Sequence, residues 1–216
     1  MANVSGTVYG LTILSPIVDD PNAQISHDCA IRQYLANLPN GHTSPFAQVS
    51  STHMCRLVVM DDVIYVGTPA REEHLSSRYL VFESNFDGDL EPYLMRMATE
   101  IPDVMDSVWG HCVGYPGVRD VNAFVAYMKK CQLNTTFYFA DVNNHTVQST
   151  LRALKVQASV ADFIAKHQGQ SPSELQAAFR AFYERVRNIP DEEPGHHDPQ
   201  GHQSIKLNRS IAAQHG

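Results

Sequence analysis

Branched and aromatic residues fill Val8 to Leu14 and stop at Ser15-Pro16, a pattern that predicts a strand closed by a turn. Asp20-Pro21 then offers a cap with proline at the first helical position. From there Ile25, Cys29, Ile31, Leu35 and Leu38 recur at helical spacing as far as Pro39-Asn40-Gly41. Two further strands, His53 to Met60 and Tyr79 to Phe82, stand on either side of a polar loop from Thr68 to Ser77 and pair as a central hairpin. Leu90, Leu94, Met97 and Ile101 mark one face of a second helix, with Pro92 in the first turn, where a missing N–H does least harm. Met105 to Val113 reads as a fourth strand, interrupted at Gly110.

The order over residues 7–113 is β-α-β-β-α-β, which predicts an α+β fold with a ferredoxin-like antiparallel sheet. An extension follows: a helix from about Asp120 to Cys131, a strand from Thr135 to Ala140, and a helical face marked by Val147, Leu151, Leu154 and Ala158. The last helix opens on Ser171-Pro172-Ser173-Glu174, a capping box with proline at the first position. Apolar periodicity stops near Ile189. Residues 1–189 therefore read as one ferredoxin-like domain with a helical extension, and residues 190–216, rich in Asp, Glu, Gly, Pro, His and Gln, as a flexible His-rich tail.

A sheet with one wet face alternates apolar and polar residues. From His53 the strand instead puts His53, Cys55, Leu57 and Val59 on one side and Met54, Arg56, Val58 and Met60 on the other, both mostly apolar. The second face thus calls for a cover: a second subunit, the extension after residue 113, or a flat apolar ligand. Two such sheets packed face to face form the dimeric α+β barrel, whose interior is an apolar small-molecule cavity.

Composition narrows the function classes. Of 216 residues, 43% are hydrophobic, enough for a substantial core, and 16 basic against 23 acidic residues give a net charge of -7. Lys129-Lys130 is the longest basic run, so nucleic acid is not an expected partner. No window has the roughly 18 consecutive apolar residues of a membrane span, and the start lacks a charged leader, which points to a cytoplasmic protein away from membranes. Cys29, Cys55, Cys112 and Cys131 form no Cys-x-x-Cys pair and read as free thiols.

Three places carry candidate chemistry. Ser84-Asn85-Phe86-Asp87-Gly88 sits where a strand gives way to a helix, so Asp87 is either an acid-base group aimed at a ligand or a helix cap. A guanidinium within an apolar strand needs an anion, so Arg56 holds either a ligand's anionic group or a structural ion pair. His53 is a catalytic candidate beside it, although three residues along a strand place the two on opposite faces unless a bulge intervenes. His111, in Trp109-Gly110-His111-Cys112-Val113-Gly114-Tyr115-Pro116-Gly117, is either a metal or heme ligand or a hydrogen-bonded core residue. The tail histidines His196, His197, His202 and His215 fit no standard metal motif, and no other metal site is expected.

Thr12 to Pro16, Thr52-His53-Met54-Cys55-Arg56, Glu83 to Asp89 and Trp109 to Gly117 together resemble a group of ferredoxin-like proteins similar in fold to the dimeric α+β barrel superfamily, which includes dye-decolourising peroxidases and chlorite dismutases. Ser84-Asn85-Phe86-Asp87-Gly88 matches the second half of the peroxidases' Gly-x-x-Asp-Gly motif. The resemblance implies heme, with Asp87 at the place of the distal aspartate; beside it the expected roles are Arg56 as the holder of an anionic group and His111 as the axial ligand. The expected function is a heme-dependent peroxidase-like or oxygenase-like enzyme, a homo-oligomer acting on a small apolar or aromatic molecule over the sheet. The alternatives are a cofactor-independent monooxygenase of the same fold and a non-catalytic binding or assembly module.

Overall fold

The computed structural model describes residues 3–63, 67–68, 74–141 and 144–190, so the flexible His-rich tail expected over residues 190–216 lies almost wholly outside the described residues. The chain divides into two compact units, residues 1–147 and 148–216.

The first unit is α+β. Its strands are β1 (Val4–Ser5), β2 (Val8–Pro16), β3 (Thr52–Met60) and β4 (Tyr79–Asp87), joined in one antiparallel sheet of order β1-β2-β4-β3. Helix α1 (His27–Ala36) links β2 to β3, and α2 (Leu90–Glu100), α3 (Pro102–Trp109) and α4 (Val121–Cys131) follow β4. The central pairing, β2 with β4 and β4 with β3, is that of a split β-α-β unit closed by a hairpin.

Alternation along β4 sorts its two faces. Leu80, Phe82, Ser84 and Phe86 are buried, while Tyr79, Val81, Glu83, Asn85 and Asp87 are half-buried on the other side. The buried face, shared with Leu11 and Ile13 of β2, packs against Leu94 and Met97 of α2, Met105 and Trp109 of α3, and Phe124 and Met128 of α4. Trp109 meets Phe82 edge-on with ring centres 5.4 Å apart, and Tyr93 stacks on Phe86 at 3.7 Å. Each of these fully buried side chains contributes about 1.5–3 kcal/mol, which is what fixes this face as the core.

The expected fourth strand is a helix. Pro102 takes the first turn of α3, and Val104, Met105, Val108 and Trp109 recur at helical spacing to form its buried side. Gly110 ends it where a Cβ would stand 2.3 Å from the Asp106 carbonyl. Only an isolated bridge from Cys112 to Ile17 remains of the expected pairing, and β1 takes the place beside β2. The ferredoxin-like order is therefore incomplete, and the strand order differs.

Two smaller expectations also change. Asp20 does not cap α1, whose cap position is Ser26; its carboxylate accepts the Asn22 N–H in a tight turn instead. Thr135 to Ala140 forms no strand, because its amides go to side chains: Thr135 donates to Asn3 Oδ1 at 3.1 Å and Ala140 to Ser5 Oγ at 3.4 Å. From this segment the Tyr138 side chain reaches over the sheet, onto Gly10 and Asn85.

Helix α5 (Val147–Lys166) begins at the end of the first unit and runs into the second, where α6 (Pro172–Arg187) follows. The capping box is formed in full: Ser171 Oγ accepts the Glu174 N–H, and the Glu174 carboxylate accepts the Ser171 N–H. Phe163, Phe179 and Phe182 cluster in this unit, with Phe163 and Phe182 centres 4.6 Å apart. No helix among the described residues is long and apolar enough to cross a membrane.

Candidate functional site

The ladder between β3 and β4 breaks at one point. Thr52 pairs with Phe86 and Met54 with Asn85, so His53 is an extra residue, a β-bulge. Strict alternation would send His53 to the core side with Cys55 and Leu57, away from Arg56. The bulge turns it instead to Asp87, whose carboxylate stands on the outer face because Phe86 beside it is buried.

His53 Nε2 lies 2.8 Å from Asp87 Oδ1, and the two side chains are 19% and 15% exposed. The other carboxylate oxygen, Oδ2, accepts the backbone N–H of Val147 at 2.8 Å. Asp87 is thus held from two sides and in turn holds the imidazole through Nε2. Asp87 does not cap α2, whose cap position is Asp89.

Next along the outer face, Tyr138 lies across the sheet. Its ring sits so close to Gly10 that a Cβ there would stand 2.6 Å from it, and its O–H donates to Asn85 Oδ1 at 2.7 Å. Burial pushes the Tyr138 hydroxyl above its ordinary range, so it is a donor and not an anion. Part of the extension therefore does cover the second sheet face. Among the described residues of that face, Met54 and Val58 remain 65% and 46% exposed.

Arg56 stands on the same outer face, opposite Glu83, and its Nε donates to Glu83 Oε2. The two form an exposed ion pair across the strands. Glu83 and Asp87 are separated by four residues of strand, about 13 Å, so Arg56 does not reach the dyad.

His111 lies at the far end of the sheet. Val8 faces Asp87, whereas Ile17 faces Cys112, so about 30 Å of strand separates the two ends. There His111 Nδ1 lies 2.8 Å from Nδ1 of His27, and burial first, then the charge of His27, lowers its pKa. Asp87, Arg56 and His111 therefore do not fit around one heme. Among the described residues no group of three or more His, Cys, Asp or Glu side chains is placed to hold a metal ion.

Of the four residues singled out in the sequence, the structure joins His53 to Asp87 and leaves Arg56 and His111 apart. It adds Asn85, Tyr138 and the Val147 amide. Gly10 was the available signal for Tyr138, since a glycine inside a strand marks a close approach. No sequence pattern points from His27 to His111. Comparison of the chain with protein-family models, curated proteins and solved structures finds no match.

Proposed function

We propose that the outer face of the sheet is an acid-base site for a small apolar or aromatic molecule, with His53 as proton acceptor and Asp87 as the group that orients it. The observation that supports this most is the bulge at His53, an interruption of the ladder that re-aims one side chain onto a carboxylate already fixed by a backbone amide. A carboxylate on one ring nitrogen selects the tautomer and stabilises the imidazolium formed when the other nitrogen takes a proton. The exposed Met54 beside it supplies apolar surface for an aromatic ring. Among the functions raised by the resemblance, this is closest to the cofactor-independent enzyme, since no step in it passes through His111 or heme.

The test uses 1-naphthol, whose hydroxyl proton and ring match the site. Saturable NMR shifts at the His53 ring and the Met54 methyl, with a naphtholate absorption band that His53→Gln and Asp87→Asn remove, are the expected result. Shifts elsewhere, or none, would overturn the proposal. A second reading, an assembly module, is favoured by the exposure of Val58 on the same face, and its mark is a concentration-dependent mass that Val58→Asp abolishes.

A further inference from the structure

Helices α5 and α6 form an antiparallel hairpin with little core of its own. Phe163 of α5 touches Phe179 and Phe182 of α6, with ring centres 6.0 and 4.6 Å apart. Among the described residues 148–190, Phe182 is the only buried side chain. A two-helix unit this small does not enclose enough apolar surface to stand without a further partner.

One side of the hairpin is apolar and open. At about 100° of turn per residue, Val160 and Ile164 stand about a quarter turn from Phe163, and Phe179 and Tyr183 stand about a quarter turn from Phe182 in the same sense. In antiparallel helices the same sense of rotation leads to the same side of the pair. The four side chains therefore share one face, with Leu175 one turn before Phe179. Val160 is 37%, Ile164 54%, Leu175 40%, Phe179 52% and Tyr183 53% exposed.

We propose that this face is an interface with a second copy of the chain, which joins two hairpins into a four-helix bundle. The register supports a copy as the occupant. Because Phe163 touches both Phe179 and Phe182, Ile164 stands level with Phe179 and Val160 with Tyr183. A twofold axis along the hairpin then seats each aromatic ring of one copy on a branched aliphatic side chain of the other. The area is sufficient. With about half of each side chain open, the five residues offer about 500 Å² of apolar surface per copy, the centre of a standard interface of about 800 Å² per partner.

Charge points the same way. Helical spacing places Lys155, Asp162 and Lys166 of α5, and Glu174 and Arg185 of α6, on the opposite side of the hairpin. Arg180 and Arg187 stand at the α6 edge of the face, the latter paired with Glu184 at 3.9 Å. The same twofold sets that edge against the α5 edge of the copy, which carries Gln157 and Gln168, so like charges do not meet. The net charge of -7 makes an anionic membrane or a nucleic acid a poorer occupant.

The interface is independent of His53 and Asp87, and its test uses the full chain in sedimentation equilibrium at micromolar concentrations. Twice the chain mass is expected. Phe179→Lys and Tyr183→Lys together should weaken association at least a hundredfold with Trp109 fluorescence unchanged, whereas Val58→Asp, on the sheet, should leave it intact. In an equal mixture of 13C-labelled and unlabelled natural chains, filtered nuclear Overhauser spectra should connect the Tyr183 ring of one copy to the Val160 methyls of the other. That measurement changes no residue, so it stands even if the double variant fails to fold. A single-chain mass throughout, whether free or bound to phosphatidylserine vesicles, would overturn the proposal. So would a dimer that keeps its affinity in the double variant, loses it in Val58→Asp, or lacks the Tyr183–Val160 cross-peaks.

Discussion

Replacing Gly10 with alanine tests whether Tyr138 is held flat on the sheet beside the dyad. The new Cβ would fall 2.6, 2.7 and 2.9 Å from three ring atoms, so the ring has to lift. Lifting gives up the 2.7 Å bond to Asn85, a net loss of about 1 kcal/mol. It also exposes part of the ring, at about 1–2 kcal/mol. Against this, alanine in a strand interior is favoured over glycine by about 0.5–1 kcal/mol. Gly10→Ala should therefore destabilise the first unit by about 1–2.5 kcal/mol in the natural chain. With Tyr138→Ala already present the clash is gone, and the same substitution should stabilise by about 0.5–1 kcal/mol. Trp109 is the only tryptophan and is fully buried in this unit, so urea titrations followed by its fluorescence report the quantity directly. Equal destabilisation by Gly10→Ala in both backgrounds would refute the placement of Tyr138.

Two other outcomes follow from the titrating groups. Burial pushes Cys55 up to about 11 and Cys112 up to about 12, while Cys29 is exposed. At pH 8 iodoacetamide should alkylate Cys29 first and Cys112 last, the latter slowed at least a hundredfold by its missing thiolate. Peptide mapping over time decides it, and equal rates would contradict the burial. Asp62 is held down to about 2 by bonds first from His74, then from the Leu75 and Val63 amides. Because its folded pKa lies below the unfolded value, its contribution is present above about pH 4 and is lost as pH falls towards 2. Amide exchange at Val63 and Leu75, corrected for intrinsic rates, should lose protection across that window, and Asp62→Asn should show weakened protection at every pH. Protection that persists unchanged down to pH 2 would show that these bonds do not depend on the charge.

Features set by neighbours in the chain were legible in the sequence, and features set by distant pairings were not. Ser171 and Glu174 cap α6 reciprocally because both partners lie within one turn. The alternation along β4 likewise separated Leu80 and Phe82 from Tyr79 and Val81. The stretch from Met105 was ambiguous: Met105, Ser107 and Trp109 fit a strand, Val104, Met105, Val108 and Trp109 fit a helix, and burial against the sheet decides for the helix. The bulge at His53 depends on how β4 pairs, so only its possibility could be stated. The His27–His111 contact joins residues separated by 84 positions and has no local sign.

The same bulge acts on the rim of the sheet as well as on its face. In the order β1-β2-β4-β3 the last strand ends the ladder, and its outward amides and carbonyls could template a foreign strand. The inserted residue throws an approaching partner out of step near Thr52, and the charge of Arg56 disfavours close stacking farther along. A detail that aims one imidazole thus also makes this rim a poor template for a further strand.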